Sequence, residues 1–474
     1  MDIPPAFQRY TVTKSNDKAK ELQRLGIKSF ESKKWIESLI FYNKSLSFAS
    51  SKNGLCLVYE NRSAVYYEIQ RYKECLENIE LARKNGYPMN KIENLNEREA
   101  KCKEMMIQEN LEKIHLNGKS SDIFKLSYPV NKKIPSIVDC IEVKTTEKYG
   151  RGIYAKQDLK AGDIISVEDP VICILRDDGY YKHCYNCMKT CMLNLIPCIR
   201  TASIMFCSSQ CMEKTYSKFG DLQTILMDDV KLLAEIIYLL DGQEMFDKLI
   251  ADKHNLVTIF DYNLNKQNDK KYNQKIATCM LKLSASNKHP VNANLCHIRK
   301  NLQKEAADQV LNILFMNNIT HTFCGTELIC HNDSASIPLF CNLINHSCLP
   351  NAFPIFVDNK IVICISEPIK AGDQIFCSYI NPLYPMQEVM KHIMFTHYNF
   401  KCDCLACTDE NHSSLWNLST NFTITMNNLT KEEYLKEGWN MINNKNSTMQ
   451  DIYKHKAQNM LILQLLAYDM TFPC

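Results

Sequence analysis

The chain is 474 residues long, room for about two to four domains that each bury a core of their own. Lys and Arg number 56 against 53 Asp and Glu, a net charge of only +3 with no run of five like charges, so neither nucleic acid nor an anionic membrane has an electrostatic claim on it. The opening Met1-Asp2-Ile3-Pro4-Pro5 lacks the layout of a secretory signal, and the longest apolar runs, Leu232 to Leu240 and Met460 to Tyr468, are too short to span a bilayer; a soluble protein, cytoplasmic and/or nuclear, is the expectation.

Residues 18 to 50 carry Leu25, Gly26, Phe30, Trp35, Ser38, Tyr42 and Ser45, a spacing that alternates large and small side chains along two helical faces. The pattern recurs at an offset of 37 residues: Trp35 matches Tyr72, Ser38 matches Cys75, Tyr42 matches Ile79 and Ser45 matches Ala82. Small residues at these points let antiparallel helices approach while aromatics fill the gaps. The offset lies close to the 34-residue period of tetratricopeptide repeats, with a short insertion at the turn-forming Ser50-Ser51-Lys52-Asn53-Gly54. The region 15–115 resembles such repeats, with Asn94 to Glu109 as a capping helix.

After Gly118 short β-prone stretches begin, at Ile137 to Val143, Ile164 to Val167 and Val171 to Leu175. From Leu222 to Met316 helical periodicity returns through Leu226, Val230, Leu233 and Ile237, then Leu295, Ile298, Leu302, Ala306, Val310 and Ile313, interrupted by the polar loop Asn265 to Gln274. Strands are expected again at Pro354 to Phe356, Ile361 to Ile365 and Gln374 to Ser378, and the chain after Cys407 reads as helical.

Twenty-three cysteines in a chain this long, several at two- or three-residue gaps, point to metal binding in a reducing compartment rather than to disulfides. Cys184-x2-Cys187 and Cys207-x3-Cys211 lie about twenty residues apart, and two such pairs converge on one tetrahedral zinc because each short gap turns both thiolates inward. Cys402-x-Cys404-x2-Cys407 supplies three thiolates and needs a fourth, for which the chain offers Cys348. The stretch Phe206-Cys207-Ser208-Ser209-Gln210-Cys211 resembles a MYND zinc finger, a fold that the resemblance says holds two zincs. Only the first set, Cys184, Cys187, Cys207 and Cys211, is complete here; Cys198 stands at the second, where Thr201 replaces the next ligand, and Cys198 is read as a buried apolar residue. Cys191 and His183 remain open as substitute ligands.

Asn345-His346-Ser347-Cys348-Leu349-Pro350-Asn351 followed by the cysteine triplet closely resembles the SET methyltransferases, in which the triplet folds back onto the motif cysteine. Gly150-Arg151-Gly152, which alone is only a tight turn, Gly372-Asp373-Gln374-Ile375-Phe376-Cys377-Ser378-Tyr379 and Tyr398-Asn399-Phe400 complete the ordered set. With the finger and helical insert interrupting it, the chain resembles the SMYD family, in its tetratricopeptide-bearing subgroup.

The fold class expected is therefore α+β: helical repeats at 15–115, a split β-rich SET domain at 135–183 and 317–400, a MYND-type finger at 184–220, a helical insert at 221–316, the post-SET cysteine motif at 401–410 and a short helical tail at 411–474. The resemblance implies S-adenosylmethionine and zinc as cofactors and a protein substrate with an accessible lysine. It implies a cofactor pocket of Tyr149, Gly150, Arg151, Asn317 (or Asn318), Asn345, His346, Tyr398, Asn399 and Phe400, with Tyr379 as the catalytic tyrosine. The rival reading is a non-catalytic adaptor that binds peptides through the repeats and the finger.

Overall fold

The computed structural model describes residues 13–113, 123–170, 172–175, 179–219, 319–324, 330–338, 340–357, 360–379, 402–408 and 429–471. The expected helical insert, 221–316, lies outside the described residues. The architecture is mixed α+β, helices first and small sheets after.

Among the described residues five α-helices come first: α1 (Asn16–Glu31), α2 (Trp35–Phe48), α3 (Lys52–Glu68), α4 (Tyr72–Lys84) and α5 (Ile92–Lys113). Ser15 caps α1 by accepting from the Lys18 amide, and Ser51 caps α3 by accepting from Gly54, so the turn cluster at 50–54 divides into a link and a first helical turn. The 37-residue offset falls on equivalent places, since Trp35 and Tyr72 each begin the second helix of a hairpin. Within the first hairpin a Cβ on Gly26 would overlap the Tyr42 ring, while the Ser38 and Ser45 hydroxyls donate to the Gly26 and Ala19 carbonyls at 2.8 and 2.7 Å. Cys75 and Ala82 are likewise fully buried in the second hairpin.

The cysteine finger, with its ribbon β5 (Ile196–Pro197) and β6 (Met205–Phe206) and its helix α6 (Ser209–Phe219), shares one hydrophobic core with these helices: Tyr42, Leu46 and Tyr66 pack into the same cluster as Leu193, Leu195 and Phe206. A buried polar lock runs through that seam. Arg62, fully buried on α3, donates to Asn78 Oδ1, Asn43 Oδ1 and the Leu195 carbonyl, each at 2.7 Å, and to Asn194 Oδ1 at 3.1 Å. Asn43 in turn donates to the Tyr181 and Leu193 carbonyls, and Ser47 to that of Ala202.

Beyond the helices lie β1 (Ile141–Thr146), β2 (Gly150–Ala155), β3 (Ile164–Glu168), β4 (Ile172–Leu175), β7 (Ile319–Cys324), β8 (Cys330–Ile337), β9 (Asn345–His346), β10 (Ala352–Val357), β11 (Lys360–Ile365) and β12 (Gln374–Cys377). They form sheets ordered β1-β2-β12-β9, β10-β11-β3 and β4-β8-β7. The strands differ from expectation at one boundary. The strand expected at 137–143 begins at Ile141 and runs on to Thr146, because Ile137 and Val138 are spent on isolated bridges to Ser166 and Val130. The glycine-rich turn at 147–150 leads straight into β2, which pairs with β1 along its length. The strands β7 and β8 were not anticipated at all.

Past the short helical turn α7 (Leu405–Thr408) come the C-terminal helices α8 (Lys431–Ile442) and α9 (Met449–Thr471). On the β10-β11-β3 sheet, Ile165, Ile361, Ile363 and Ile365 face the central core, whereas Ile164, Phe353, Ile355, Val362 and Cys364 face the opposite way and pack against Leu435, Met460, Leu463 and Leu466. The two helices thus cover the second face of that sheet. They cross closely, since a Cβ on Gly438 would overlap Asn459, and Thr430 starts α8 with a reciprocal capping box to Glu433. Asn443 then pins their end to the sheet by bonding both the amide and the carbonyl of Ala161 at 3.0 Å.

Arg62→Ala should cost about 3–5 kcal/mol of stability, because it strands three asparagine side chains and a carbonyl in the helix–finger seam. Denaturant melts of the two proteins check this; a loss under about 1 kcal/mol would mean that water replaces the guanidinium there.

Candidate functional site

The site gathers around β12. On one side β2 pairs antiparallel with Gln374 and Ile375; on the other the two-residue β9 runs parallel, Asn345 opposite Phe376 and His346 opposite Cys377. Asn351 extends the ladder with a side chain in place of a strand, donating to the Gln374 carbonyl at 2.9 Å and accepting from the Phe376 amide at 2.7 Å. The segment 345–351 therefore grips β12 twice, by backbone and by amide side chain.

Asn345 then reaches across to the glycine-rich start of β2, donating to the carbonyls of Tyr149 at 3.2 Å and Arg151 at 2.9 Å. Gly150 adopts φ +62°, a left-handed value that glycine tolerates, and Gly152 leaves room that a Cβ would take from the Gln374 and Asn345 amides. Gln374 accepts from the Tyr154 hydroxyl at 2.8 Å, while its buried Nε2 has no hydrogen-bond partner among the described residues, so a donor is held in reserve beside this turn.

Tyr379 follows directly on β12. Its amide donates to His346 Nδ1 at 3.0 Å, its hydroxyl donates to the Ile344 carbonyl at 3.1 Å, and its ring packs on the imidazole at a centroid separation of 5.1 Å. The short 3-10 turn Cys341–Leu343 that leads into Ile344 is itself anchored: buried Glu168, at the end of β3, accepts from the amides of Phe340 and Cys341 at 2.8 and 3.2 Å. The structure thus brings Tyr149, Gly150, Arg151, Asn345, His346 and Tyr379 together at one junction. Asn317, Asn318, Tyr398, Asn399 and Phe400 lie outside the described residues.

Two sulfur tetrads stand out. Cys348 Sγ lies 3.8 Å from Cys402 and 3.5 Å from Cys407, and with Cys404 all four sulfurs fall within 4.8 Å of one another; Cys184, Cys187, Cys207 and Cys211 form the second group on the same criterion. A zinc ion with four thiolates at about 2.3 Å requires sulfurs about 3.8 Å apart, so both tetrads have the donor set and the size for zinc. Within each, shared protons split the thiols: hydrogen bonding to Cys402 pushes Cys348 up while the same bond pulls Cys402 down, and its bond with Cys184 draws Cys187 down to about 5. Negative charge concentrates at such points, and a dication that displaces the remaining protons resolves it. Cys198 is elsewhere, fully buried with Sγ 3.2 Å from the Tyr216 hydroxyl; Thr201 bonds locally with Ser203, and His183 Nδ1 sits 3.0 Å from the Met188 carbonyl.

Comparison with known proteins matches the same ground. A family model for the SET domain fits residues 150–380. Among similar proteins are the Arabidopsis thaliana Histone-lysine N-methyltransferase ASHR1, 23% identical over 57% of this chain and 55% of that protein, and the Danio rerio Protein-lysine N-methyltransferase SMYD4, 23% identical over 45% of this chain and 30% of that one. The Mus musculus Histone-lysine N-methyltransferase SMYD3 is 21% identical over 63% and 69%. Residues 150–380 thus carry a SET domain, and the SMYD proteins are among the relatives that the chain resembles. Against the first two of these relatives it spans about half of one and about a third of the other.

Several residues that hold the SET junction escaped the sequence reading. Glu168 carries a weak signal, an acid closing an apolar strand. Asp403 sits between two cysteines of the triplet and pairs with Lys148 at 2.8 Å, and the Tyr149 hydroxyl lies 3.5 Å from it; the Asp403 carboxylate, then the Tyr149 hydroxyl, raise the Lys148 ammonium above its usual range. Lys456, from distant α9, donates to the Pro350 carbonyl and to Glu367 Oε2, and nothing in its local sequence announces that.

Metal analysis of the purified chain should find two zinc ions, and Cys404→Ser should leave one, with the finger's retained. A stoichiometry of three would require ligands beyond these two tetrads.

Proposed function

We propose that this chain is a protein-lysine methyltransferase that takes its methyl group from S-adenosylmethionine, the cofactor that supplies an electrophilic methyl when bound. The observation that carries the reading is the placement of Tyr379, fixed by amide and hydroxyl to residues 344–346, next to the glycine-rich turn that Asn345 holds. The names of the SET relatives, histone-lysine and protein-lysine N-methyltransferases, agree with it. The cofactor would be held by Tyr149, Gly150, Arg151, Asn345 and the backbone of His346, completed by Asn317 and by Tyr398, Asn399 and Phe400. Gly152 leaves its Cβ position to the Gln374 and Asn345 amides, which keeps Asn345 close against the residues that would hold the cofactor.

A lysine amine must be neutral to accept a methyl group. Its ordinary pKa of about 10.4 leaves roughly one in a thousand uncharged at neutral pH, a cost of about 4 kcal/mol. A narrow site beside a cationic cofactor lowers that cost by desolvation and like-charge repulsion. Tyr379 orients the amine as it enters.

We read the two hairpins and α5 as tetratricopeptide-like repeats, on the 37-residue offset, and the first tetrad as a MYND-type finger with one zinc. Thiolate tetrads favour a reducing compartment, cytoplasmic and/or nuclear. The adaptor reading is weakened by the Arg62 seam. The repeat face that carries Asn43, Arg62 and Asn78 is already filled by backbone carbonyls of the finger, so we assign it no peptide partner.

Tyr379→Phe removes one hydroxyl and keeps the ring. Methyl transfer from labelled cofactor to protein in a cell extract should fall by about 10²-fold or more while cofactor binding and zinc content stay near wild type. A labelled product of equal strength from the variant would sink the assignment of this tyrosine.

A further inference from the structure

The two nitrogens of the buried His346 ring point at different parts of the site. The Tyr379 backbone N–H has only a proton to give, so Nδ1, 3.0 Å away, presents its lone pair. The neutral imidazole then carries its proton on Nε2, which lies 3.4 Å from Cys348 Sγ. A metal-bound thiolate accepts such an N–H, and bonds of this outer kind orient metal ligands. Regular pairing of β12 ends where the Ser347 amide donates to the Cys377 carbonyl at 3.0 Å. Beyond that point the imidazole accepts the Tyr379 amide, and its ring also supports the tyrosine ring.

Resting on the methyltransferase reading above, we infer that the His346 side chain is a positioning residue that couples the Cys348 tetrad to Tyr379, and is not itself a cofactor ligand. Any contact of residue 346 with the cofactor is left to its backbone. The metal site sets where Cys348 Sγ stands, the sulfur sets the imidazole, and the imidazole sets the Tyr379 amide nitrogen, one bond from the Cα that carries the catalytic ring. A displaced tetrad therefore alters turnover even when the cofactor remains bound.

Two isosteres divide the ring. In His346→Asn the amide oxygen takes the place of Nδ1 and keeps the Tyr379 bond but not the Cys348 bond; in His346→Gln the amide nitrogen takes the place of Nε2 and keeps the reverse. With the full-length, zinc-loaded chain, His346→Gln should lower kcat by about tenfold or more while zinc retention stays near wild type, and His346→Asn, which cuts the link to the sulfur, should speed zinc release from the tetrad to a chelator by about tenfold and lower kcat as well. Both should leave the cofactor Kd within about threefold of wild type. Hydrogen exchange at the Tyr379 amide should accelerate in His346→Gln and stay slow in His346→Asn, a readout that needs no turnover. A cofactor Kd raised tenfold in both variants with kcat unchanged at saturation would make the side chain a cofactor ligand and overturn the inference. Equal losses of kcat, exchange protection and zinc retention in the two variants would overturn it too, leaving only a packing role. Wild type that exchanges and releases zinc as expected but transfers no methyl group would remove the methyltransferase reading and, with it, the coupling to turnover.

Discussion

Cys348 belongs at once to the segment that carries Asn345 and His346 and to a sulfur tetrad whose other members come from residues 402–407, more than fifty residues further along the chain. Closing so long a loop costs conformational entropy that a few van der Waals contacts from a four-residue helical turn would not offset; four thiolates on one zinc do so readily. From that fixed point the rest follows. The motif segment lies parallel to β12, Asn345 holds the glycine-rich turn, and Asp403 is presented to Lys148 and Tyr149. The exposed Lys148–Asp403 pair itself contributes little, since water and salt screen it; its importance is that the metal loop and the turn meet there.

The remainder of the molecule braces this junction from two sides. Buried Glu168 satisfies two amides at the entry to residue 344, and α9 sends buried Lys456 to the Pro350 carbonyl and Glu367 just past the motif. Charges held this far from water are tolerated because each meets donors or acceptors arranged for it. At the other end of the described residues the N-terminal helices and the cysteine finger form one body through Arg62, with polar and apolar contacts in the same seam. Stability and site geometry thus draw on segments hundreds of residues apart.

The sequence was informative wherever chemistry demands a fixed local spacing. Short cysteine gaps, the ordered Asn345-to-Asn351 motif and the glycines at 150 and 152 could be read singly, and the structure brings the cysteines into two tetrads and the motif into contact with the turn. The 37-residue recurrence was legible for the same reason, because helix hairpins repeat their small and large positions. The strands expected at Pro354 to Phe356 and Ile361 to Ile365 lie within β10 and β11, but the sequence did not announce what lies on their second face.

What no local pattern contained is which distant groups would satisfy a buried polar atom. Arg62, Glu168 and Lys456 look in sequence like ordinary surface charges, and each is buried only because partners from other segments converge on it. The same holds for His346: its presence in the motif was plain, but the division of its two nitrogens between Tyr379 and Cys348 depends on the crossing of three segments. By itself, then, the sequence determined which cysteines group, the 37-residue recurrence and the order of the motifs, which are properties of spacing along the chain. Tertiary structure alone decided their hydrogen-bond partners, because a buried donor is satisfied by whatever folding brings within about 3 Å, and that is a property of space.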